Sequence, residues 1–157
     1  MTARSTKHST FTIERVYDAT PERVFAAWAD PAAKTRWFGG PDEGGSEYEL
    51  DFRVGGRELN RGGTPDGVVY TYEAVYRDIA PNERIVYTYE MYMGEARISV
   101  SVTAVELAPE GAGTRLTFTE HGVFLDGLDS PALREEGTGH LLDALGADLR
   151  GEPVVGW

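Results

Sequence analysis

Residues 130–150 read SPALREEGTGHLLDALGADLR, and this stretch decides which folds are open to the chain. Ser130 followed by Pro131 is a typical helix start, because serine caps the first turn and proline is tolerated at the first helical position. Leucines then recur at helical spacing, as Leu133, Leu141, Leu142, Leu145 and Leu149. The spacing predicts a long C-terminal helix over about residues 131–150, with an apolar face that another element must cover.

The cover for that helix is predicted by runs of alternating polar and apolar residues. Short turns such as APNE and APEGAGT join them, and short turns connect only antiparallel neighbours. We therefore predict an α+β fold in which a curved antiparallel sheet of about six or seven strands wraps around the C-terminal helix. The predicted strands cover residues 11–19, 46–52, 57–62, 68–79, 84–93, 96–107 and 115–124.

A short split helix is predicted after the first strand, where residues 20–41 read TPERVFAAWADPAAKTRWFGGP. A threonine and a proline start it, and the Asp-Pro step at residues 30–31 interrupts it. The second piece ends on Trp37 and Phe38, before the glycines and proline of residues 39–41. These two rings either fill the core or form one wall of a cavity. We predict that the break in the helix turns both rings inward.

The composition bounds the class of protein. The chain has 157 residues, enough for one domain with a substantial core, which we place at residues 10–150 with flexible tails at 1–9 and 151–157. It has no cysteine, which excludes disulfides, thiolate metal sites and a cysteine nucleophile, and which fits a cytoplasmic location. The net charge of −11 argues against nucleic-acid partners, and no apolar run is long enough for membrane insertion.

Five stretches, taken in order, carry a resemblance to a known group of proteins. The chain resembles the START-like helix-grip superfamily, also called SRPBCC or Bet-v-like, and within it the family of homologues of the activator of the heat-shock chaperone ATPase. The resemblance implies a sheet that grips the C-terminal helix over a cavity, but it does not imply chaperone activity. The stretches are VFAAWADPAAKTRWFGGP (24–41), LDFRVGGRE (50–58), YEAVYRDIAPNERIVYTYE (72–90), TAVELAPEGAGTRLTFTEHG (103–122) and GTGHLLDALGADL (137–149).

One position departs from the pattern of the family. Members commonly carry Gly-Trp where this chain has Gly137-Thr138. The missing ring leaves space beneath the helix for a ligand or for a different side chain. Glycines in a helix interior each cost about 1 kcal/mol relative to alanine. Gly137, Gly139 and Gly146 therefore indicate close approach by a strand aromatic or by a bound molecule.

The candidate ligand-binding residues are mostly aromatic side chains that share strand faces. Tyrosine combines an apolar ring with a hydroxyl that needs a partner, so tyrosines on one face either bond to one another or face a wet pocket. Methionine adapts to irregular shapes. The resemblance places the tryptophans at one end of the groove. The full set is Trp28, Trp37, Phe38, Phe52, Tyr70, Tyr72, Tyr87, Tyr89, Met91, Phe118, Glu120, Thr138 and Leu142.

Glu120 is the one acidic candidate, because alternation puts it in phase with Leu116 and Phe118, toward the interior. Burial there raises the pKa of a carboxyl, as in many general bases. The side chain could equally pair with an arginine such as Arg97, or lie past the buried part of the strand. His121 points the other way.

Metal and catalytic motifs are absent from the sequence. The three histidines have no metal-ligand spacing, and the helical trio Glu136, His140 and Asp143 is more typical of a solvated helix surface. No nucleophile elbow, phosphate-binding loop or dinucleotide motif occurs. We therefore predict no catalytic residues, no metal and no cofactor.

These observations predict a non-enzymatic protein that binds a small hydrophobic or amphipathic molecule, such as a lipid, between sheet and helix. Two alternatives remain. One is a cavity enzyme of the cyclase or hydrolase type, with Glu120 or a tyrosine as acid or base. The other is a chaperone-linked or regulatory interaction module, for instance in a stress response. A homodimer formed through an edge strand is compatible with each of them.

Overall fold

The computed structural model describes residues 4–39, 47–64 and 67–154. Within these ranges a seven-stranded antiparallel sheet and three helices form the α+β, helix-grip arrangement that the sequence predicts. The sheet order is β1-β7-β6-β5-β4-β3-β2, so β1 and β2 are the edge strands. The elements are β1 (Thr6–Tyr17), α1 (Pro21–Ala29), α2 (Pro31–Phe38), β2 (Glu47–Leu50), β3 (Arg57–Gly63), β4 (Val69–Ala80), β5 (Arg84–Met93), β6 (Ala96–Glu110), β7 (Gly113–Leu125) and α3 (Pro131–Leu149).

The first strand is longer than predicted. Residues 6–9, which we assigned to a flexible tail, pair with residues 122–125 of β7. They are polar and mostly exposed, so they lack the apolar alternation that marks a strand covered on one face. At the other end, the predicted tail is attached at its start, because Val154 packs against the core.

The strand predicted at residues 46–52 is shorter in the structure. β2 ends at Leu50, and Phe52 lies beyond it. Ser46 lies outside the described residues. So do residues 1–3 and 155–157 of the predicted tails, residues 40–41 after the split helix, and residues 65–66 of the GTPDG turn.

The split helix forms because Asp30 serves both pieces. Its backbone is extended, so it ends α1, and its carboxylate accepts a hydrogen bond from the Ala32 N–H to cap α2. Gly39 ends α2 with a φ of +84°, a left-handed conformation that glycine adopts at little cost. The short second helix therefore ends with its two aromatic residues beside the sheet.

Two irregularities in strand pairing accompany the wrap of the sheet. The β4–β5 register shifts between Tyr76 and Asp78, and the β5–β6 register shifts between Met91 and Tyr92. An extra residue on one strand bends that strand and increases its twist. Both shifts lie in the central strands that face α3.

Helix α3 is fixed against β1 through Tyr17. The Tyr17 hydroxyl donates a 2.8 Å hydrogen bond to the Leu142 carbonyl. A Cβ atom at Gly146 would lie 3.2 Å from the Tyr17 ring, so this glycine allows the ring to pack on the helix. The expected close approach by a strand aromatic therefore occurs at Gly146.

The C-terminal end of α3 is tied to the split helix. Arg23 of α1 donates a 2.8 Å hydrogen bond to the Leu149 carbonyl, one of the last acceptors of the helix. Arg36 of α2 pairs with Asp148 at 2.7 Å. These contacts make β1, α1 and α2 the closest neighbours of α3.

Two glycines of α3 should respond oppositely to alanine. Nothing lies within 4 Å of a Cβ atom built at Gly137, so Gly137→Ala should raise the free energy of unfolding by about 0.5–1 kcal/mol through helix propensity. Gly146→Ala gains the same helix propensity, but its Cβ atom would press on the Tyr17 ring, so this variant should have a lower free energy of unfolding. Urea unfolding of both variants measures the difference, and equal stabilisation would contradict the packing at Gly146.

Candidate ligand-binding site

A cavity of about 320 Å³ lies between α3 and the inner face of the sheet. Its lining comes from α1, α2, α3 and the central strands, and it includes all but two of the predicted ligand-binding residues. The alternation of the strands places these side chains there, because every second residue faces the helix. The predicted residues on its surface are Trp28, Trp37, Phe38, Tyr72, Tyr87, Tyr89, Met91, Phe118, Glu120, Thr138 and Leu142.

Phe52 and Tyr70 lie away from the cavity, which corrects the prediction for both. Phe52 packs behind the lining, with its ring 5.5 Å from that of Phe25 and 4.9 Å from that of Tyr76. Tyr70 has the inward phase of β4, but it lies at the strand end opposite Met93 and is 37% exposed. Strand alternation shows which face of the sheet a residue lies on, but it does not show how far along the strand the helices cover that face.

The lining residues outside the predicted ligand-binding set lie mainly at the start of α3 and just before it. Asp129, Leu133, Arg134 and Gly137 all line the cavity. Leu133 was predicted as part of the buried apolar face, but it is 65% exposed. A residue that both lines the cavity and is exposed marks an opening, so the cavity reaches the surface beside the first turn of α3.

Glu120 lies at a polar end of the cavity and is 2% exposed, as its strand phase predicts. One of its oxygens accepts a 2.7 Å hydrogen bond from the Tyr89 hydroxyl, and the other accepts a 3.1 Å bond from the Thr103 hydroxyl. Burial raises the pKa of Glu120 above its ordinary value of 4.5, although these hydrogen bonds and the nearby charge of Arg134 oppose the rise.

The arginine beside Glu120 is Arg134, not Arg97, which instead pairs with Glu90 at the surface. The Arg134 guanidinium lies 4.0 Å from the carboxylate of Glu120 and donates 2.9 Å bonds to the hydroxyls of Tyr89 and Ser99. It also pairs with Asp129 at 2.6 Å. We call Glu120, Tyr89, Arg134 and Asp129 the polar cluster.

Three rings form the aromatic wall of the cavity, as predicted for the break in the helix: Trp28, Trp37 and Phe38. Trp37 packs edge-on against the other two, at 4.8 Å from Trp28 and 5.8 Å from Phe38. Its indole N–H donates a 3.0 Å bond to the Ala27 carbonyl, which fixes the ring from α1. Phe38 in turn contacts Tyr72 of β4, with ring centroids 5.1 Å apart.

A buried ion pair supports this wall, and sequence reasoning missed it. Lys34 and Glu58 are each 1% exposed, with the ammonium 2.9 Å from one carboxylate oxygen and 3.1 Å from the other. Glu58 also accepts bonds from the hydroxyls of Tyr48 and Tyr76, at 2.6 and 2.8 Å. Burial lowers the pKa of Lys34, against the opposing effect of Glu58. Removing one partner of such a pair leaves an uncompensated buried charge.

The Lys34 ammonium also lies over the three rings of the aromatic wall, at 4.3 Å from the centroid of Phe38 and 5.0 Å from that of Trp28. A cation over an aromatic face is attracted by the ring quadrupole. No local pattern in the sequence distinguishes Lys34 from an exposed helical lysine, because its partner is 24 residues away on another element.

Two polar atoms of the lining residues have no hydrogen-bond partner among the described residues. They are the indole nitrogen of Trp28 and the hydroxyl of Tyr72, which interacts with the Tyr87 hydroxyl without a well-formed hydrogen bond, and both are buried. Burial raises the pKa of Tyr72 well above its ordinary value of 10, so the hydroxyl keeps its proton at neutral pH. A buried donor without a partner costs free energy that an occupant of the cavity can recover.

Across the described ranges, no group of three or more histidine, cysteine or acidic residues is arranged to hold a metal ion. His140 lies 3.7 Å from Glu136 on the exposed side of α3. His121 is exposed, as predicted, and shares a hydrogen bond with Thr10. None of the helices in the described part of the chain has the length and apolar character needed to span a bilayer.

An antiparallel sheet that packs around a C-terminal helix, with a cavity between the two, defines a START-like, helix-grip protein. Residues 18–149 match the family model described as Activator of Hsp90 ATPase homolog 1-like protein, so the chain belongs to that family. Neither the family description nor those of the solved relatives below specifies a catalytic activity. No curated protein matches the chain.

Solved structures with this fold include close relatives. An uncharacterised protein from Rhizobium leguminosarum is 47% identical, with 96% of this chain and 100% of that chain covered and a TM-score of 0.91. A protein from Rhizobium loti is 51% identical over 92% of this chain and 99% of that chain, with a TM-score of 0.87. A Chromobacterium violaceum protein is 29% identical over 89% and 96%, with a TM-score of 0.73.

Two tyrosines of β4 provide a matched test of the unpartnered hydroxyl. Tyr76→Phe removes a bond to Glu58 and should lower the free energy of unfolding by about 1–3 kcal/mol. Tyr72→Phe removes a hydroxyl without a partner, so stability should stay the same or rise. Chemical denaturation measures both. A loss in Tyr72→Phe as large as that in Tyr76→Phe would show that the Tyr72 hydroxyl is bonded.

The raised pKa of Glu120 gives a pH dependence of stability. The folded protein holds this proton to a higher pH than the unfolded chain does, so above 4.5 the folded state binds more protons. The contribution of Glu120 to stability therefore falls as pH rises through that window. Wild type should lose stability relative to Glu120→Gln as the pH rises above about 4.5. Glu106→Gln, at an exposed position of β6, is the matched control and should show a smaller change.

Proposed function

We propose that this protein binds a small hydrophobic or amphipathic molecule, such as a lipid or an aromatic metabolite, in the cavity between α3 and the sheet. The observation that carries the proposal is the size and lining of the cavity, about 320 Å³ and mostly apolar. Packed protein interiors have few voids larger than a water molecule, whereas small-molecule sites begin at about 300 Å³. Membership of a START-like family agrees with this function.

Access and affinity both fit a binding role. The exposed Leu133 at the cavity edge provides a route for the ligand past the first turn of α3. Burial of the ligand supplies about 25 cal/mol per Å² of apolar area, before the costs of association. The unpartnered groups of Trp28 and Tyr72 add a gain for a ligand that reaches them.

The surroundings of Glu120 favour binding over acid–base catalysis. A general base needs a lone pair directed at a substrate proton, and its pKa is tuned for transfer. The hydroxyl donors on its two oxygens and the charge of Arg134, 4.0 Å away, oppose transfer of a proton to Glu120, while its remaining lone pairs can still accept a hydrogen bond from a ligand. This arrangement orients a bound group rather than shuttling a proton, so we propose no reaction.

Filling the cavity tests the proposal. Thr138→Trp places a large ring beneath α3, at the position where family members commonly carry one, so it should abolish ligand binding while the protein stays folded. Glu135→Trp adds the same ring on the exposed side of the helix and should leave binding unchanged. The measurements are thermal-shift assays and native mass spectrometry with long-chain alcohols, amines, fatty acids, flat aromatics and polyketide-like compounds.

Two results would count against the proposal. One is the absence of binding across the whole panel by the wild-type protein. The other is binding that survives Thr138→Trp with unchanged affinity, which would place the ligand outside the cavity. Circular dichroism of both tryptophan variants shows whether the fold is retained.

A further inference from the structure

We propose that the cavity selects ligands whose polar end is a hydrogen-bond donor without negative charge, a hydroxyl or a protonated amine, and that it discriminates against carboxylates. This inference rests on the proposed function and specifies the class of ligand. It follows from how the polar cluster uses its donors, its acceptors and its charges.

The donors of the polar cluster are largely committed, whereas the unpartnered donors of Trp28 and Tyr72 are uncharged and lie at the aromatic wall, outside the polar cluster. The Tyr89 hydroxyl gives its one proton to Glu120 and accepts a bond from Arg134, so it has no donor left for a ligand. The Thr103 hydroxyl gives its one proton to the other Glu120 oxygen. Arg134 uses three of its five N–H groups within the protein, because one terminal nitrogen donates to Ser99 and Asp129 and the other donates to Tyr89.

The acceptors are not saturated. A carboxylate offers about four lone-pair positions, and Glu120 accepts one hydroxyl proton on each of its two oxygens. Glu120 lines the cavity, so its remaining acceptor capacity is available to a ligand that brings its own proton. A hydroxyl or an ammonium group does so, and a carboxylate does not.

The charges point the same way. The polar cluster has one guanidinium, that of Arg134, and two carboxylates. Arg134 pairs with Asp129 and lies near Glu120. A carboxylate ligand would bring a third negative group to a single positive one inside an apolar cavity, where such repulsion is weakly screened. An ammonium ligand would balance the cluster, and a hydroxyl would leave it unchanged. The net charge of −11 on the whole chain adds to the same preference.

The test compares three ligands of equal chain length: decanol, decylamine and decanoate. Isothermal titration calorimetry and native mass spectrometry with the full-length protein should show decanol and decylamine binding at least about tenfold more tightly than decanoate, the size of one charged hydrogen bond. The alcohol and the amine distinguish a neutral from a cationic ligand. If no decyl compound binds, the matched alcohol, amine and carboxylate of a panel scaffold that does bind replace them.

Two variants assign the preference to the polar cluster. Glu120→Gln and Asp129→Asn each remove one negative charge from it, so each should shift the affinity ratio of decylamine to decanoate toward decanoate by about tenfold. Asp129 lies at the partly exposed cavity edge, so Asp129→Asn provides the result if Glu120→Gln fails to fold. Glu106→Gln makes the same change at an exposed site of β6 and should leave the ratio unaltered.

The outcomes separate this inference from the proposed function. Decanoate binding to the wild-type protein as tightly as decanol and decylamine would overturn the inference and leave the cavity as a binding site. A wild-type preference that neither variant changes would remove the polar cluster as its cause. Failure of every scaffold to bind would overturn the proposed function itself.

Discussion

The cavity depends on the way α3 is held at its two ends. In its C-terminal half the helix is fixed by Tyr17 and by the pairing of Arg36 with Asp148, and at its first turn by Arg134, which reaches Ser99 of β6. Directional contacts of this kind set a distance between helix and sheet, whereas apolar packing alone would tend to minimise it. The middle of α3, around Thr138, is therefore kept above the central strands without filling the space beneath it.

A cavity wall also needs support from behind, because side chains that face a void lose contacts on that side. The aromatic wall receives this support from α1, through the bond of Trp37 to Ala27, and from the ammonium of Lys34. Lys34 is itself fixed by Glu58. The ion pair therefore links α2, which carries Lys34, to β3, which carries Glu58. The buried ion pair therefore keeps the rings of the aromatic wall in position, because the side of these rings that faces the cavity has no packing contacts.

The sequence predicted the fold and most of the cavity lining because both follow from local periodicity. Helical spacing identified α3, and strand alternation placed Tyr87, Tyr89 and Glu120 on the inner face. The sequence could not predict Arg134 as the partner of Glu120, because α3 and β7, which carry these residues, come together only in the folded protein. The exposure of Tyr70 was missed for a related reason, since alternation gives the side of a strand but not the length over which a helix covers it.

The sheet carries two buried carboxylates, Glu58 and Glu120, and their surroundings show which one belongs to the site. Glu58 accepts two tyrosine hydroxyls and has its counter-ion in direct contact, so its charge and hydrogen-bonding capacity are largely met within the protein. Glu120 also accepts two hydroxyls, but its nearest cation is 4.0 Å away and is shared with Asp129. Only Glu120 lines the cavity. The incompletely compensated carboxylate is thus the one in reach of a ligand, while the compensated one stabilises the wall.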